Sequence, residues 1–91
     1  MNARAFTELL TTVERTFFDL DKLAIVRAAR QPFTSAQAHA LLSAFDMERE
    51  RWQAFEILRR RLVDPENGQL LARSFFFSRD KRRVLGYFAR D

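Results

Sequence analysis

Three stretches of this chain share one pattern: FDLDKLAIV at residues 18–26, MERERWQAF at residues 47–55, and FSRDKRRVL at residues 77–85. In each stretch an apolar residue is followed by a potential helix cap, one variable residue, an acid and a base. Their starting positions are 29 and 30 residues apart. Periods of this length are typical of helical repeats, in which each unit buries its apolar face against its neighbours. The pattern therefore predicts three helix hairpins.

The surrounding sequence predicts six helices, over about residues 3–16, 20–30, 35–44, 47–64, 65–74 and 79–90. Thr34 and Gln37 form a T-x-x-Q capping box, and Asp19 and Asp64 are expected to act as N-caps. No segment has the pattern of a strand that could build a sheet. The predicted fold class is all-α, with three hairpins arranged as a small solenoid or a compact bundle.

Length and composition favour a single domain over residues 1–91, with repeat units of about 3–31, 33–63 and 64–91. The chain has 91 residues, of which 47% are hydrophobic, and ten phenylalanines. Aromatic side chains bury the most area per residue, so we expect a phenylalanine-rich core. Phe18 and Phe77, which open two of the three copies, are expected to be core anchors.

Positive charge is concentrated in the C-terminal half. Residues 1–50 contain six Lys/Arg and seven Asp/Glu, whereas residues 51–91 contain ten and five. Such asymmetry favours an acidic partner. Glu8 and Glu14 interrupt the N-terminal segment, and the chain has no apolar run long enough to cross a membrane. We therefore expect a cytoplasmic protein without a membrane span.

The third copy differs from the others where Arg82 and Arg83 replace the Leu23-Ala24 and Trp52-Gln53 pairs of the first two. A terminal repeat has no following neighbour, so these arginines either form a solvated outer face or contact a partner. Consecutive residues cannot all point into one core, so part of the preceding phenylalanine run is expected to be exposed. The candidate partner-binding residues are Phe75, Phe76, Arg82, Arg83 and Arg60.

The acid and base of each copy form the pairs Asp21-Lys22, Glu50-Arg51 and Asp80-Lys81. A row of such charges could face a partner. Alternatively, each base covers apolar surface with its stem and neutralises a nearby cap or carbonyl group. Since the bases recur together with their acids, we interpret these pairs as structural features of the helix starts.

Taken together, FFDLDKLAIVRAA, FTSAQAHALLSAFDMERERWQAFEIL and LVDPENGQLLARSFFFSRDKRRVL resemble a family of bacterial and some eukaryotic proteins, domain of unknown function 4476. The resemblance covers about residues 5–88. It implies a small all-helical, repeat-like domain. It implies no reaction or ligand, so no functional residue is transferred from the family to this chain.

Sequence motifs for catalysis are missing. His39 is the single histidine and the chain has no cysteine, so no second residue of either type can complete a metal or nucleophile site. Asp19 and Asp21 resemble the start of a calcium loop, but its glycine and its last glutamate are absent. Two glycines, at 68 and 86, do not form a phosphate-binding loop. We expect no enzyme activity, no cofactor and no metal.

The sequence is best explained by a non-catalytic protein-interaction module that binds an acidic or amphipathic protein through its basic C-terminal half. The alternative is a small basic nucleic-acid-binding protein. Arg59, Arg60 and Arg61 are consecutive and point in different directions on a helix. Nucleic-acid binding also favours exposed aromatic residues, whereas most of the phenylalanines here have core spacing.

Overall fold

The computed structural model describes residues 1–89. Its α-helices are α1 (Ala3–Arg15), α2 (Asp19–Ala28), α3 (Ser35–Ser43), α4 (Glu48–Leu58) and α5 (Ser78–Phe88). A short 3₁₀ turn, Arg59–Arg61, extends α4, and a 3₁₀ helix occupies Pro65–Ser74. Over the described residues the all-α class and the six helices are confirmed, although the fifth is 3₁₀ rather than α. The predicted end of the sixth at Arg90 lies outside this range.

Local capping explains several helix starts. The Asn2 side chain accepts a hydrogen bond from the Ala5 N–H at 2.8 Å and caps α1. The predicted capping box begins α3, because Thr34 and Gln37 each bind the other's backbone N–H. Asp19 is not an N-cap as predicted. It is the first residue of α2, and the residue before it, Phe18, makes no side-chain cap.

Asp64 does precede the 3₁₀ helix, but it makes no side-chain cap for that helix. Its carboxylate instead accepts a hydrogen bond from the Ser35 N–H at 2.7 Å, at the start of α3. A parallel bridge between Phe33 and Leu62 lies at the same end of the molecule, and it is the one bridge among residues 1–89. The segments before α3 and before the 3₁₀ helix are thereby held side by side.

Most of the helices pack on two or more others. α1 packs on α3, and α3 packs on the 3₁₀ helix; α2 packs on α4, and α5 packs on the 3₁₀ helix. Helix α4 buries Phe55 and Leu58 together with Ala54. The described chain measures 36 × 26 × 16 Å. Whether three equivalent hairpins constitute a true repeat stays a prediction.

The core is rich in phenylalanine, as expected, but the anchors differ from those predicted. Phe33, Phe45, Phe55 and Phe75 are almost completely buried. Phe18 and Phe77 are 64% and 54% exposed, so their prediction as core anchors is wrong. In the third copy the buried ring belongs to Phe75, three residues before α5 begins at Ser78, and this leaves the ring of Phe77 outside the core.

Gly68 is buried in the 3₁₀ helix against the ring of Phe88. A Cβ atom at position 68 would overlap this ring. The absence of a side chain at position 68 therefore permits the close approach of α5 to the 3₁₀ helix.

Candidate interaction surface

Exposed apolar side chains cluster just before three of the helices. We call residues 16–18 the first joint, residues 45–47 the second joint and residues 75–77 the third joint; they precede α2, α4 and α5. Most of the large apolar side chains that residues 1–89 leave exposed belong to these joints: Phe17, Phe18, Met47, Phe76 and Phe77. The joints therefore lie at an apolar edge of the molecule.

The second joint is held by a carboxylate from α2. Asp19 accepts hydrogen bonds from the N–H groups of Asp46, at 3.1 Å, and Met47, at 2.7 Å. Burial alone would raise the pKa of Asp19, but these N–H groups and Lys22 more than offset it, so the pKa lies below its ordinary value. The ionised form of Asp19 is thus the one that joins α2 to the segment before α4.

The third joint is held in the same way by α4. Glu48 accepts hydrogen bonds from the N–H groups of Phe76, at 3.1 Å, and Phe77, at 2.9 Å. Burial would raise the pKa of Glu48, but the N–H groups of Phe77 and Phe76 and the charge of Arg51 lower it below its ordinary value. The same kind of contact therefore occurs twice, across 27–28 residues for Asp19 and across 28–29 residues for Glu48.

The first joint has no such carboxylate. Neither the Phe17 nor the Phe18 N–H has a hydrogen-bond acceptor among the described residues. At the opposite end of the series, α5 begins with Ser78, which is exposed and contacts no further joint within residues 1–89. The series of carboxylate contacts is therefore open at the first joint and ends at α5.

The three repeated bases bind backbone carbonyl groups. Lys22 donates to the Ala44 carbonyl at 2.7 Å, Arg51 to those of Leu42, at 3.0 Å, and Phe45, and Lys81 to that of Ala72 at 3.5 Å. Lys22 is only 3% exposed. These contacts place the bases at helix C-termini, where a positive charge is favourable.

The acids next to these bases have other environments. Asp21 is exposed, Glu50 lies 3.5 Å from Arg49, and Asp80 lies 3.3 Å from Arg83. Lys22 and Arg51 instead pair with the acids three residues earlier, Asp19 at 3.3 Å and Glu48 at 2.8 Å. The adjacent residues of Asp21-Lys22, Glu50-Arg51 and Asp80-Lys81 are therefore not ion-paired with each other.

The predicted partner-binding residues do not form one cluster. Phe75 is 2% exposed and packs against Trp52 and Phe55, with ring centroids 5.7 and 6.0 Å away, which corrects its assignment as a contact residue. Phe76 is 79% exposed. The backbone is extended at Phe75 and Phe77, so the three side chains do not all point the same way. Phe75 is the one that faces the core.

Of the predicted arginines, Arg83 and Arg60 line different grooves. Arg82 and Arg83 are exposed on α5, and the guanidinium of Arg83 stacks 3.8 Å from the Trp52 ring centroid. Arg60 is exposed in a different groove, between α2 and α4. Its neighbours diverge, since Arg59 lies 4.4 Å from the Tyr87 ring centroid and Arg61 donates to the last carbonyls of α2.

A groove of about 480 Å³ lies beside the third joint, between α4 and α5. Its lining combines Phe77 and Trp52 with cations and acids, including Arg49, Arg79, Arg83, Glu48, Glu56 and Asp80. The side chains of Arg49 and Arg79 are 84% and 77% exposed, whereas those of Glu48 and Asp80 are 11% and 5% exposed. The cations thus reach solvent at its rim while two of the acids lie beneath.

His39 has a structural contact that the sequence did not indicate. Its Nδ1 lies 2.7 Å from the Ser74 hydroxyl oxygen and joins α3 to the end of the 3₁₀ helix. Ser74 is buried, so its hydroxyl is not presented to a substrate. Among residues 1–89, no three His, Asp or Glu side chains are grouped as a metal site would require.

The contacts of Asp19 with the second joint and of Glu48 with the third were not predicted from the sequence. The signal was present in the aligned copies, where the position after the first apolar residue is Asp, Glu and then Ser. An acid that is lost only in the last copy indicates a contact with the following unit.

The family model for "Domain of unknown function (DUF4476)" matches residues 1–87. The chain belongs to this family. The match covers all six helices almost to the end of α5, so the described fold is the fold of a DUF4476 domain. No curated protein and no solved structure matches the chain. Within residues 1–89 of this DUF4476 domain, no helix is long and apolar enough to span a bilayer.

Proposed function

We propose that this domain is a non-catalytic protein-interaction module whose third joint and adjoining groove bind an acidic or amphipathic protein segment. The observation that carries the proposal is the division of the phenylalanine run. Phe75 anchors the third joint in the core, while Phe76 and Phe77 are exposed and pack edge to face, with ring centroids 5.4 Å apart. Two rigid aromatic rings on a fixed backbone are suitable anchors for a partner.

Charge favours an acidic partner. Arg49 and Arg79 extend from the rim of the groove beside Phe77, and Arg82 lies exposed on the same helix as Arg79. A partner with a carboxylate near this rim and an apolar side chain against Phe77 contacts both the exposed arginines and the exposed ring. Electrostatic attraction of this kind increases the association rate and selects partners by charge.

The proposal is tested by selecting binders from a random peptide library displayed on phage against the immobilised domain. We expect enriched peptides to combine acidic residues with a large apolar residue. The affinity of a selected peptide is then measured by fluorescence anisotropy. Phe76→Ser with Phe77→Ser should weaken it by about ten-fold or more, as expected for aromatic hot spots.

The matched control is Phe17→Ser with Phe18→Ser, which removes the same two side chains from the first joint and should leave the affinity of that peptide unchanged. Equal losses in both double variants, or enrichment of basic peptides, would contradict the proposal. A parallel titration with labelled DNA and RNA tests the alternative function, nucleic-acid binding. Binding that falls steeply with salt and is lost in Arg82→Glu with Arg83→Glu would assign the surface to nucleic acid instead.

A further inference from the structure

The chain contains two occupied examples of a carboxylate-binding joint. In the second and third joints, consecutive backbone N–H groups bind one carboxylate at 2.7–3.1 Å. The carboxylate belongs in both cases to the first residue of a helix, Asp19 or Glu48. A base three residues later, Lys22 or Arg51, pairs with it. The bound element is thus a helix start of the form Asp/Glu-x-x-Lys/Arg.

The first joint occupies the same place relative to α2 as the other joints do relative to α4 and α5. The N–H groups of Phe17 and Phe18 correspond to those of Asp46 and Met47 and of Phe76 and Phe77, yet they have no acceptor among residues 1–89. Their rings are 80% and 64% exposed and pack edge to face, with centroids 4.8 Å apart. An apolar surface therefore lies next to two available donors.

We propose that the first joint is a docking site for a helix of another protein that begins with Asp or Glu and carries Lys or Arg three residues later. Such a helix places its carboxylate on the Phe17 and Phe18 N–H groups, as α2 and α4 do on the next joints. Its own base neutralises the carboxylate. The Phe17 and Phe18 rings cover the contact and exclude water, which strengthens a charged hydrogen bond.

A second copy of this chain is a poor occupant. Asp19 and Glu48 already bind the second and third joints. The remaining helix start that copies stacked end to end would present is α5, whose first residue is Ser78. A serine hydroxyl carries no negative charge, and Asp80, which is buried, is engaged by Arg83. The site therefore selects a different protein.

The test uses a blocked synthetic peptide with the sequence of residues 18–30, which supplies the α2 helix start, and ¹⁵N-labelled domain. We expect the amide signals of Phe17 and Phe18 to shift downfield and to saturate as peptide is added. A peptide with Asp19→Asn should bind about ten-fold more weakly, because it loses a charged hydrogen bond. Circular dichroism confirms that each protein variant is folded.

Two substitutions of Phe18 distinguish the contribution of its backbone N–H to binding from that of its ring. Phe18→Ala removes the ring and keeps the N–H, whereas Phe18→Pro removes both. We expect the proline variant to bind the peptide about ten-fold more weakly than the alanine variant, as measured by anisotropy of the labelled peptide. If Phe18→Pro does not fold, Phe17→Pro and Phe17→Ala provide the same comparison.

Three results would overturn the proposal: no shift of the two amides, equal affinity of the unsubstituted peptide and the Asp19→Asn peptide, or equal binding by the proline and alanine variants. Shifts of the same amides with protein concentration alone would assign the site to a second copy and would also overturn it. Phe76→Ser with Phe77→Ser should not alter peptide binding at the first joint. This control keeps the result independent of the function proposed for the third joint.

Discussion

The first and third joints carry the same pair of exposed phenylalanines but differ in how they are held. Phe76 and Phe77 follow a buried ring, that of Phe75, and their N–H groups bind Glu48. Phe17 and Phe18 follow Thr16, which is only partly buried, and their N–H groups have no acceptor in the described chain. Similar exposed side chains therefore have a fixed backbone in the third joint and a backbone with two available N–H groups in the first.

The strongest test of this difference is Phe75→Ala. Removing a buried aromatic ring that packs on Trp52 and Phe55 should lower the free energy of unfolding by about 3–5 kcal/mol. Phe76→Ala, one residue later, should change it by less than about 0.5 kcal/mol because that ring is exposed. Urea unfolding measures both values. Similar losses for the two variants would show that the third joint is not anchored by Phe75.

The carboxylate contacts are tested by Asp19→Asn, with Ser78→Ala as the matched control at the same position of the last copy. Losing the charge weakens the hydrogen bonds to the second joint and leaves the buried Lys22 short of one counter-ion, which should cost about 1.5–3 kcal/mol. Ser78→Ala should cost less than about 0.5 kcal/mol, since Ser78 is exposed and contacts no further joint within residues 1–89. Equal losses in urea unfolding would refute the role of Asp19 in holding the second joint.

Substituting Gly68 tests the close approach of α5 to the 3₁₀ helix. Gly68→Ala places a methyl group into the ring of Phe88 and should destabilise the domain by about 1–3 kcal/mol through overpacking. The added loss should be smaller in a Phe88→Ala background, where the ring is absent. A double-mutant cycle by thermal unfolding measures this coupling. Additive effects would mean that Gly68 is required for another reason.

Low pH should weaken the contacts of Asp19 with the second joint and of Glu48 with the third. The pKa values of Asp19 and Glu48 are lower in the folded state than the ordinary value. Their contribution to stability is therefore complete above the unfolded value, about pH 4, and is lost as the pH falls through the folded pKa. We expect the urea concentration at the unfolding midpoint to decrease when the pH is lowered below about 4. The decrease should be smaller in Asp19→Asn or Glu48→Gln. An unchanged pH dependence in both variants would contradict this assignment.

The smallest expected difference is between the two arginines of α5. Arg83 stacks on Trp52 and lies 3.3 Å from Asp80, so Arg83→Ala should cost about 0.5–1 kcal/mol. Arg82 is exposed on the outer face, and Arg82→Ala should cost less than about 0.5 kcal/mol. Thermal unfolding of the two variants at equal protein concentration measures the difference. A larger effect from Arg82 would mean that the outer face of α5 is assigned wrongly.

Helix positions were largely predictable because the signals for helix starts and ends are local. The capping box of Thr34 and Gln37, and the start at Pro65, each depend on residues within one turn. The 3₁₀ geometry of Pro65–Ser74 was not predictable from such signals, since it accompanies the packing of Gly68 on Phe88, twenty residues away. Rules based on neighbouring residues cannot identify a contact between residues so far apart in the chain.

The candidate site was predictable only in part. Exposure of at least one residue in the run Phe75-Phe76-Phe77 followed from the impossibility of burying three consecutive side chains in one core. Which of them is buried depends on the position of Trp52 and Phe55, which tertiary packing brings to within 6.0 Å of Phe75. The same packing separates Arg60 from Arg83, although both belong to the basic half of the chain.

The sequence by itself determined an all-α domain with six helices, a phenylalanine-rich core and the placement of basic residues in the second half, because composition, apolar periodicity and capping act over a few residues. Only the tertiary structure decided that Asp19 and Glu48 hold the next joints, that Phe18 and Phe77 face solvent, and that the Phe17 and Phe18 N–H groups are left without an acceptor among residues 1–89. These outcomes depend on which groups meet across 27–29 residues of chain, and chain folding sets that proximity.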